Sequence, residues 1–442
     1  MYLLISIICL SLSFFLFKRV AGTLDLRKIN MISWIFFYSL VLQSFIASVL
    51  VVYKLDEHYL IGKLYFDDSR LYGWLAIQYT LIAIPVGMLL VMFSFGKNTN
   101  RIVFQNFIQK PLSPSVTKND IFIRQTIYLI SFISVLSVIY TYASLKTIPF
   151  LSLFSDNKEQ IAIIRQQAYR GFDGLVLVRN IFGILLAPVL SYIVYCYYVL
   201  YKDKKDWYIF LILFFSSFLI LIFDLSKSPV ILYLLGFVFL KIALGHKFDY
   251  MKLGKSFLLI MSFVCVTYFL TADISSLADL FLSYNTGITG RIILSQAAGT
   301  YFSFDLYPYS LPFIGFDSLS SIFGGDRERM AREIMEVVNP TGFDDGAAGV
   351  VNTLFIAEAW ANFGILGVLL APIIVGIIIQ LIYQNIIMGD KTPIKVGIYT
   401  YLCYKLPVTG GFNDFIYNPN LFILIFLFVF ICFLSKRLNS HG

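Results

Sequence analysis

Residues 350–376 read VVNTLFIAEAWANFGILGVLLAPIIVG, an apolar stretch that contains one acid and two amides near its start. It is longer than the about 20 residues that a helix needs to cross a bilayer. Glu358 and Asn362 are four residues apart, which places both side chains on one helical face. An ionisable side chain in a membrane helix is costly unless it faces a cavity or a partner. The stretch therefore predicts both a membrane helix and a functional site.

The composition of the whole chain extends this prediction. Of its 442 residues, 59% are hydrophobic and 14% are charged, and the mean hydropathy is +0.80. Soluble domains are about 45–50% apolar and about 25% charged, so we predict an all-α polytopic integral membrane protein. About eleven spans are expected, near 2–17, 31–53, 71–95, 125–145, 174–200, 207–223, 229–245, 256–272, 350–386, 393–409 and 419–435.

These spans divide the chain into three regions. Residues 1–272 hold the first eight spans, 273–349 form one large loop, and 350–442 hold the last three spans. Alternate loops carry 19 and 12 Lys and Arg residues, and the richer set is expected in the cytoplasm. This predicts an external N-terminus, a cytoplasmic C-terminus and an extracytoplasmic large loop.

Several classes of site are disfavoured by composition. The five cysteines all lie in apolar runs without a CxxC pair, and the three histidines are scattered along the chain. A histidine-rich metal site is therefore excluded, a carboxylate-only site stays open, and we assign no metal and no cofactor. The net charge of +8 is spread over many short loops, which argues against nucleic acid as a partner.

Three cations are placed near the predicted outer face. Arg179 lies inside an apolar run, Lys227 lies in the short turn DLSKSP, and Arg291 ends the string NTGITGR. If they converge, they form a site for a polyanion such as a diphosphate, because the guanidinium fork matches phosphate oxygens. The alternative is that these side chains extend to lipid headgroups.

Glu358 is the candidate general base. A buried carboxylate with a cation such as Arg291 nearby can be held ready for proton transfer. The alternative is a structural hydrogen bond to Asn362 or to a neighbouring helix. Asn352, Asn362 and Asp414, the last in the string GGFNDF, are candidates for lining the same cavity.

Three short patches then resemble Wzy-type O-antigen or capsule repeat-unit polymerases. They are TGR at 289–291 followed by PFIGFDSL, SKSP at 226–229, and NTLFIAEAWANFGILG at 352–367. The resemblance also covers the hydropathy layout, with a large outer loop before the last few helices. Lys227 stands where relatives usually carry arginine. Some of these polymerases carry an arginine that is followed by ten residues and then a glycine. This pattern is absent from both outer loops here, so no site residue is assigned from it.

The resemblance implies a GT-C-like glycosyltransferase fold in the bacterial cytoplasmic (inner) membrane. The implied reaction polymerises undecaprenyl-diphosphate-linked oligosaccharide repeat units on the outer face of that membrane. Arg179, Lys227 and Arg291 would bind the diphosphate, and Glu358 and Arg291 would be catalytic. The implied partners are the lipid-linked oligosaccharide, the bilayer, a chain-length regulator and a flippase. The alternatives are a flippase or other transporter, and an O-antigen ligase, which is disfavoured because the large loop lacks histidine.

Overall fold

The computed structural model describes residues 1–114, 120–152, 159–252, 287–323, 329–344, 349–406 and 408–440, with scattered positions between 254 and 285. All regular elements in these residues are helices, which confirms the predicted α-helical class. The predicted span at 256–272 lies mostly outside the described residues, as do residues 273–280 of the predicted loop.

The longer helices follow one another in this order: α1 (Tyr2–Ala21), α2 (Met31–Val52), α3 (Asp68–Ser94), α4 (Arg101–Gln109), α5 (Asp120–Ala143), α6 (Glu159–Arg170), α7 (Val178–Tyr201), α8 (Lys204–Ile222), α9 (Lys227–Ala243), α10 (Gly287–Leu306), α11 (Met330–Val338), α12 (Ile356–Met388), α13 (Pro393–Lys405) and α14 (Pro419–Ser440). Within α2 and α7, the stretches Ile35–Phe45 and Val178–Leu186 are π-helical. Shorter helical turns lie at Leu26–Lys28, Ile61–Lys63, Pro149–Ser152, Gly315–Phe323, Pro340–Asp344 and Asn413–Ile416.

Eight helical segments in the described residues are long and apolar enough to cross a membrane. They are α1 with the turn after it, α2, α3, α5, α7, α8, α12 and the segment Asn413–Ile431. This length and composition support a multi-pass membrane protein. The predicted spans at 229–245 and 393–409 correspond to α9 and α13, helices of 17 and 13 residues. The total of eleven spans stays a prediction.

The segment predicted as a large external loop contains the buried helix α10. Its 20 residues, about 30 Å of helix, pack against α2, α3 and α12. At one end, the side chain of Asn285 accepts a hydrogen bond from the backbone N–H of Glu57 at 3.0 Å. At the other end, the Asp305 carboxylate accepts from the N–H groups of Tyr65 and Phe66 at 2.9 and 2.8 Å. Both ends therefore contact the single loop between α2 and α3, so α10 runs along one face of the bundle.

Contacts on the opposite face connect the loops that were predicted to be cytoplasmic. Lys110, which follows α4, pairs with Asp390, which follows α12, at 3.0 Å. Arg124 near the start of α5 pairs with Asp206 at the start of α8 at 2.7 Å. Both contacts join loops of the set richer in Lys and Arg, as the predicted alternation of spans requires. The contacts do not say which face is cytoplasmic, and that assignment stays a prediction.

Helices α3 and α12 cross at glycines, which lets their backbones touch. A Cβ on Gly87 would lie 2.2 Å from the carbonyl oxygen of Ile373, and one on Gly376 would lie 2.1 Å from that of Ile84. Small residues at a crossing point are the usual means of close helix packing in membranes. This crossing fixes the part of α12 that follows Gly364 against the centre of the bundle.

The start of α12 is broken at Gly364, whose φ of 57° suits glycine. The break separates the short helical piece with Glu358 and Asn362 from the long apolar remainder. Gly367 then lies so close to the earlier turn that a Cβ would come 1.9 Å from the Ala359 carbonyl oxygen. The irregular start therefore holds the two polar side chains apart from the membrane-spanning part of the helix.

His58, between α2 and α3, is buried in its neutral form. Its Nδ1 accepts a hydrogen bond from the N–H of Leu60 at 3.3 Å, so its Nε2 carries the proton and donates to Ser295 on α10 at 2.9 Å. Burial lowers the pKa of His58 to about 4 from an ordinary value of 6.5. Protonation of the ring at Nδ1 would remove the hydrogen bond from Leu60, while the Nε2 donor to Ser295 would remain.

We expect the stability of the protein to fall as the pH decreases from about 6.5 toward 4. In that window the unfolded chain binds a proton at His58 and the folded protein does not, so protons favour unfolding. The full effect is about 3 kcal/mol. The check is the melting temperature of the detergent-solubilised protein across this range for wild type and His58→Gln. The variant should show a flatter dependence, and identical slopes would contradict the assignment.

Candidate functional site

Three cations from separate helices converge on the face that carries α10. Lys227 begins α9, Arg291 lies exposed near the start of α10, and Arg165 lies on α6. Arg291 and Arg165 are both close enough to Lys227 for their charges to repel its ammonium group. The structure thus brings Lys227 and Arg291 together, as the anion-site prediction required.

Arg165 was absent from the predicted site. It lies on α6, an amphipathic helix to which no role was assigned from the sequence. In the structure its Nε donates to the carbonyl oxygen of Asp224 at 2.9 Å, just before the turn that carries Lys227. The amphipathic pattern could have located the helix, but only the folded chain shows that it packs beside α9.

A polar cavity of about 250 Å³ lies next to these cations. We call it the Asn352 cavity, because Asn352 lines it as predicted. Ser228, the neighbour of Lys227, and Gln296, on α10 five residues beyond Arg291, also line it. The helices that begin near Lys227 and Arg291 therefore both contribute to the wall of this cavity, although none of the three cations lines it.

The rest of the cavity wall combines amide and aromatic groups. Gln43 is 4% exposed, and its Oε1 has no hydrogen-bond partner among the described residues. The rings of Trp34 and Tyr38 stack on each other at 4.5 Å and contribute apolar surface beside this oxygen. Aromatic surface with a few fixed polar groups is the usual lining of a small-molecule site. The Gln43 oxygen is therefore a buried acceptor whose hydrogen bond is not made within the described residues.

Glu358 is buried against the loop between α13 and α14. Its carboxylate is 3% exposed and accepts a hydrogen bond from the backbone N–H of Asn413 at 2.8 Å. A Cβ on Gly411 would lie 2.4 Å from the same carboxylate, so only glycine fits there. Asn362 donates to the side-chain oxygen of Asn413 at 3.2 Å. Glu358 and Asn362 thus share Asn413 as a partner, where the sequence suggested a direct bond between the two.

The cation that acts on Glu358 is Arg329, whereas the sequence led us to expect Arg291. Arg329 makes a two-pronged ion pair with Asp414, at 2.6 and 3.2 Å. Its charge is close enough to interact with that of Glu358. Among the described residues, no contact joins Glu358 to Arg291. Arg329 lies in the charged run DRER, which resembles an ordinary solvated loop, so no sequence pattern pointed to this position.

Arg179 occupies an aromatic cage away from the Asn352 cavity. Its guanidinium lies over the rings of Tyr169, Phe172 and Phe223, at 5.0, 4.6 and 5.3 Å. It donates to the carbonyl oxygens of Tyr169 at 2.9 Å and Ala168 at 3.3 Å, in the last turn of α6. With 2% of its surface exposed, Arg179 holds the end of α6 against the bundle. Its predicted role as a diphosphate ligand stays a prediction.

Arg179→Met is expected to release the C-terminal half of α6. The substitution keeps a chain of similar width but leaves two buried carbonyl oxygens without their charged donor, and hydrogen bonds to charged groups contribute about 1.5–3 kcal/mol each. Hydrogen exchange measured by mass spectrometry should show faster exchange in residues 163–172. Arg101→Met, an exposed position at the start of α4, is the matched control. Equal protection of α6 in both variants would contradict the anchoring role.

Comparison with known proteins does not assign this chain to a family. No family model matches it, and searches of curated proteins and of solved structures gave no match. Among the described residues, no group of three His, Cys, Asp or Glu side chains could hold a metal ion. The function is therefore argued from the site itself.

Proposed function

We propose that this chain polymerises undecaprenyl-diphosphate-linked oligosaccharide repeat units into a surface polysaccharide such as O-antigen or capsule. The observation that carries the proposal is the clustering of Lys227, Arg165 and Arg291, together with the contribution of Ser228 and Gln296, from the same helices as Lys227 and Arg291, to the wall of the Asn352 cavity. Clustered cations suit a diphosphate, and an amide-rich cavity with aromatic walls suits the attached sugar. The apolar helices around the site let the lipid stay in the bilayer.

The reaction is a glycosyl transfer between two lipid-linked molecules. The bond from the anomeric carbon of the donor sugar to the diphosphate oxygen breaks, and undecaprenyl diphosphate leaves with the bonding electrons. A hydroxyl oxygen of the acceptor repeat unit forms the new bond to that carbon and loses its proton. Negative charge develops on the leaving diphosphate, where the three cations offset it. The diphosphate bond supplies the driving force, so no nucleotide is required.

We assign acceptance of that proton to Glu358. The carboxylate contacts the loop at Gly411 and Asn413, and Thr409 of the same loop lines the Asn352 cavity. A short movement of this loop would open a path between the carboxylate and the acceptor hydroxyl. The ion pair of Arg329 with Asp414 fixes the far side of the loop.

The proposed setting is the bacterial cytoplasmic membrane, with the α10 face and the N-terminus outside and the C-terminus in the cytoplasm. There the enzyme would receive its lipid-linked units from a flippase and work beside a chain-length regulator. The larger number of Lys and Arg residues in the opposite loops supports this orientation.

The proposal is tested by a gel of the surface glycan from a strain that lacks this protein. A lipid core bearing a single repeat unit, with the polymer ladder gone, is the expected result. Loss of every repeat-bearing species, with accumulation of lipid-linked units, would indicate a flippase or a ligase instead. An unchanged ladder would reject a role in this glycan.

A further inference from the structure

A second cation-bearing cavity lies beside the first. It has a volume of about 190 Å³ and lies between α7, α13 and the start of α14. Lys405, the last residue of α13, lines it, and we call it the Lys405 cavity. Asn180, Asn418 and Asn420 contribute amide groups to the same wall. None of these residues belongs to the site described above.

Lys405 has no ion-pair or hydrogen-bond partner among the described residues. No described side chain or carbonyl accepts a hydrogen bond from its ammonium group, and burial is the one influence that acts on it. Its place at the end of α13 gives it some stabilisation from the last carbonyl groups of the helix. This stabilisation is small beside the cost of burying a lone ammonium. The cavity is therefore suited to an anion.

The walls of the cavity indicate what kind of anion. Leu421 and Leu424 line it beside the asparagines, so polar and apolar surfaces face the same space. Asn180 accepts a hydrogen bond from Nε of Arg179 through its Oδ1, which fixes the side chain and leaves its amide N–H groups for another partner. A cation, several amide donors and an apolar wall together match a phosphate group attached to a hydrocarbon chain.

The two cavities share a wall. Leu406 lines both of them, and Tyr401 and Tyr404, one helical turn apart on α13, line one cavity each. The end of α13 therefore separates the Asn352 cavity from the Lys405 cavity. A glycosyl transfer between two lipid-linked molecules needs two such sites side by side.

We propose that the Lys405 cavity binds the phosphate group of a second polyprenyl-linked molecule, next to the one held at the Asn352 cavity. The assignment of donor and acceptor rests on the proposed function, whereas phosphate binding at Lys405 does not. Lys405 supplies the charge, the three asparagines donate hydrogen bonds, and the leucines contact the first part of the polyprenyl chain.

Native mass spectrometry of the detergent-purified full chain with undecaprenyl diphosphate tests this proposal. Wild type is expected to bind two molecules, and Lys405→Met and Lys227→Met are each expected to bind one. Lys405→Arg keeps the charge and should bind two, whereas Leu424→Trp fills the cavity, keeps Lys405 and should bind one. Lys241→Met, at an exposed position of α9, is the control and should bind two.

Two results would overturn the site. The first is that the Lys405→Met protein is monodisperse and still binds two molecules. The second is that the wild-type protein binds only one molecule and that Lys227→Met no longer binds it. Inorganic pyrophosphate is the second probe. If it binds at Lys405 as tightly as undecaprenyl diphosphate does, the ligand is a free anion and the lipid assignment is wrong.

The glycan ladder separates this inference from the proposed function. If binding depends on Lys405 but deletion of the protein leaves the ladder unchanged, the phosphate site is retained and the polymerase function is rejected. Loss of the ladder on deletion, with a normal ladder and two bound molecules in Lys405→Met, would keep polymerisation and reject the second site.

Discussion

Arg291→Met is expected to lower the rate of polymer formation by about 10²–10³-fold, the usual effect of removing one group that stabilises developing charge. Arg291 is exposed and lies close enough to Lys227 for the two charges to repel each other. No described residue accepts a hydrogen bond from its guanidinium, so the group is available to a diphosphate. Arg291→Lys keeps the charge but loses the two-pronged geometry, and an intermediate rate is expected.

The measurement is the length distribution of the surface glycan at matched protein levels, with Arg101→Met as the control on the opposite face. A second readout separates binding from folding. Since Arg291 repels Lys227, its removal should leave the melting temperature of the ligand-free protein unchanged or slightly raised. A normal glycan ladder in Arg291→Met would rule out this arginine as a diphosphate ligand. A lowered melting temperature would mean that it is structural.

Glu358→Gln is the second change with a large expected effect, a loss of about 10²–10⁴-fold in rate. Glutamine has the same shape, and its side-chain oxygen can still accept the hydrogen bond from Asn413, so the loop should stay in place. Only the ability to take a proton is lost. Glu358→Ala removes both functions and is expected to lower the melting temperature as well.

The comparison of the two variants decides what Glu358 does. If Glu358→Gln makes normal polymer while Glu358→Ala does not, the carboxylate holds the loop and another group accepts the proton. If both variants fail but only the alanine protein is less stable, the base assignment holds. Asn362→Asp changes the charge close to Glu358 without altering the Glu358 side chain, so it is the control for effects of local charge.

Much of the fold could be predicted from the sequence, because a segment that crosses the lipid must be a long apolar helix. Apolar runs of sufficient length predicted α2, α3, α7 and α12, and alternation of loop charge predicted which loops meet on each face. Helix α10 was not predicted, because its Gly, Ser and Thr residues keep it too polar to resemble a span. It is buried by contacts with α3 and α12, which no local pattern reveals.

The site was predictable to the extent that membrane topology dictates it. Lys227 and Arg291 were expected on one face because both lie in loops on the same side, and the structure places them together. The cage around Arg179 combines side chains from three separate segments, so burial of its guanidinium could not be read from neighbouring residues. Arg329 pairs with Asp414, which lies 85 positions away in the sequence, so no local sequence pattern could reveal this contact.

The central claim is that this chain joins lipid-linked repeat units, and reconstitution tests it most directly. Purified protein in liposomes would be given a chemically defined undecaprenyl-diphosphate-linked repeat unit, with the lipid-linked products separated by size. We predict a ladder of multiples of the repeat unit together with released undecaprenyl diphosphate, both abolished in Arg291→Met. Movement of the intact substrate across the bilayer without any longer product would contradict the claim and identify a transporter.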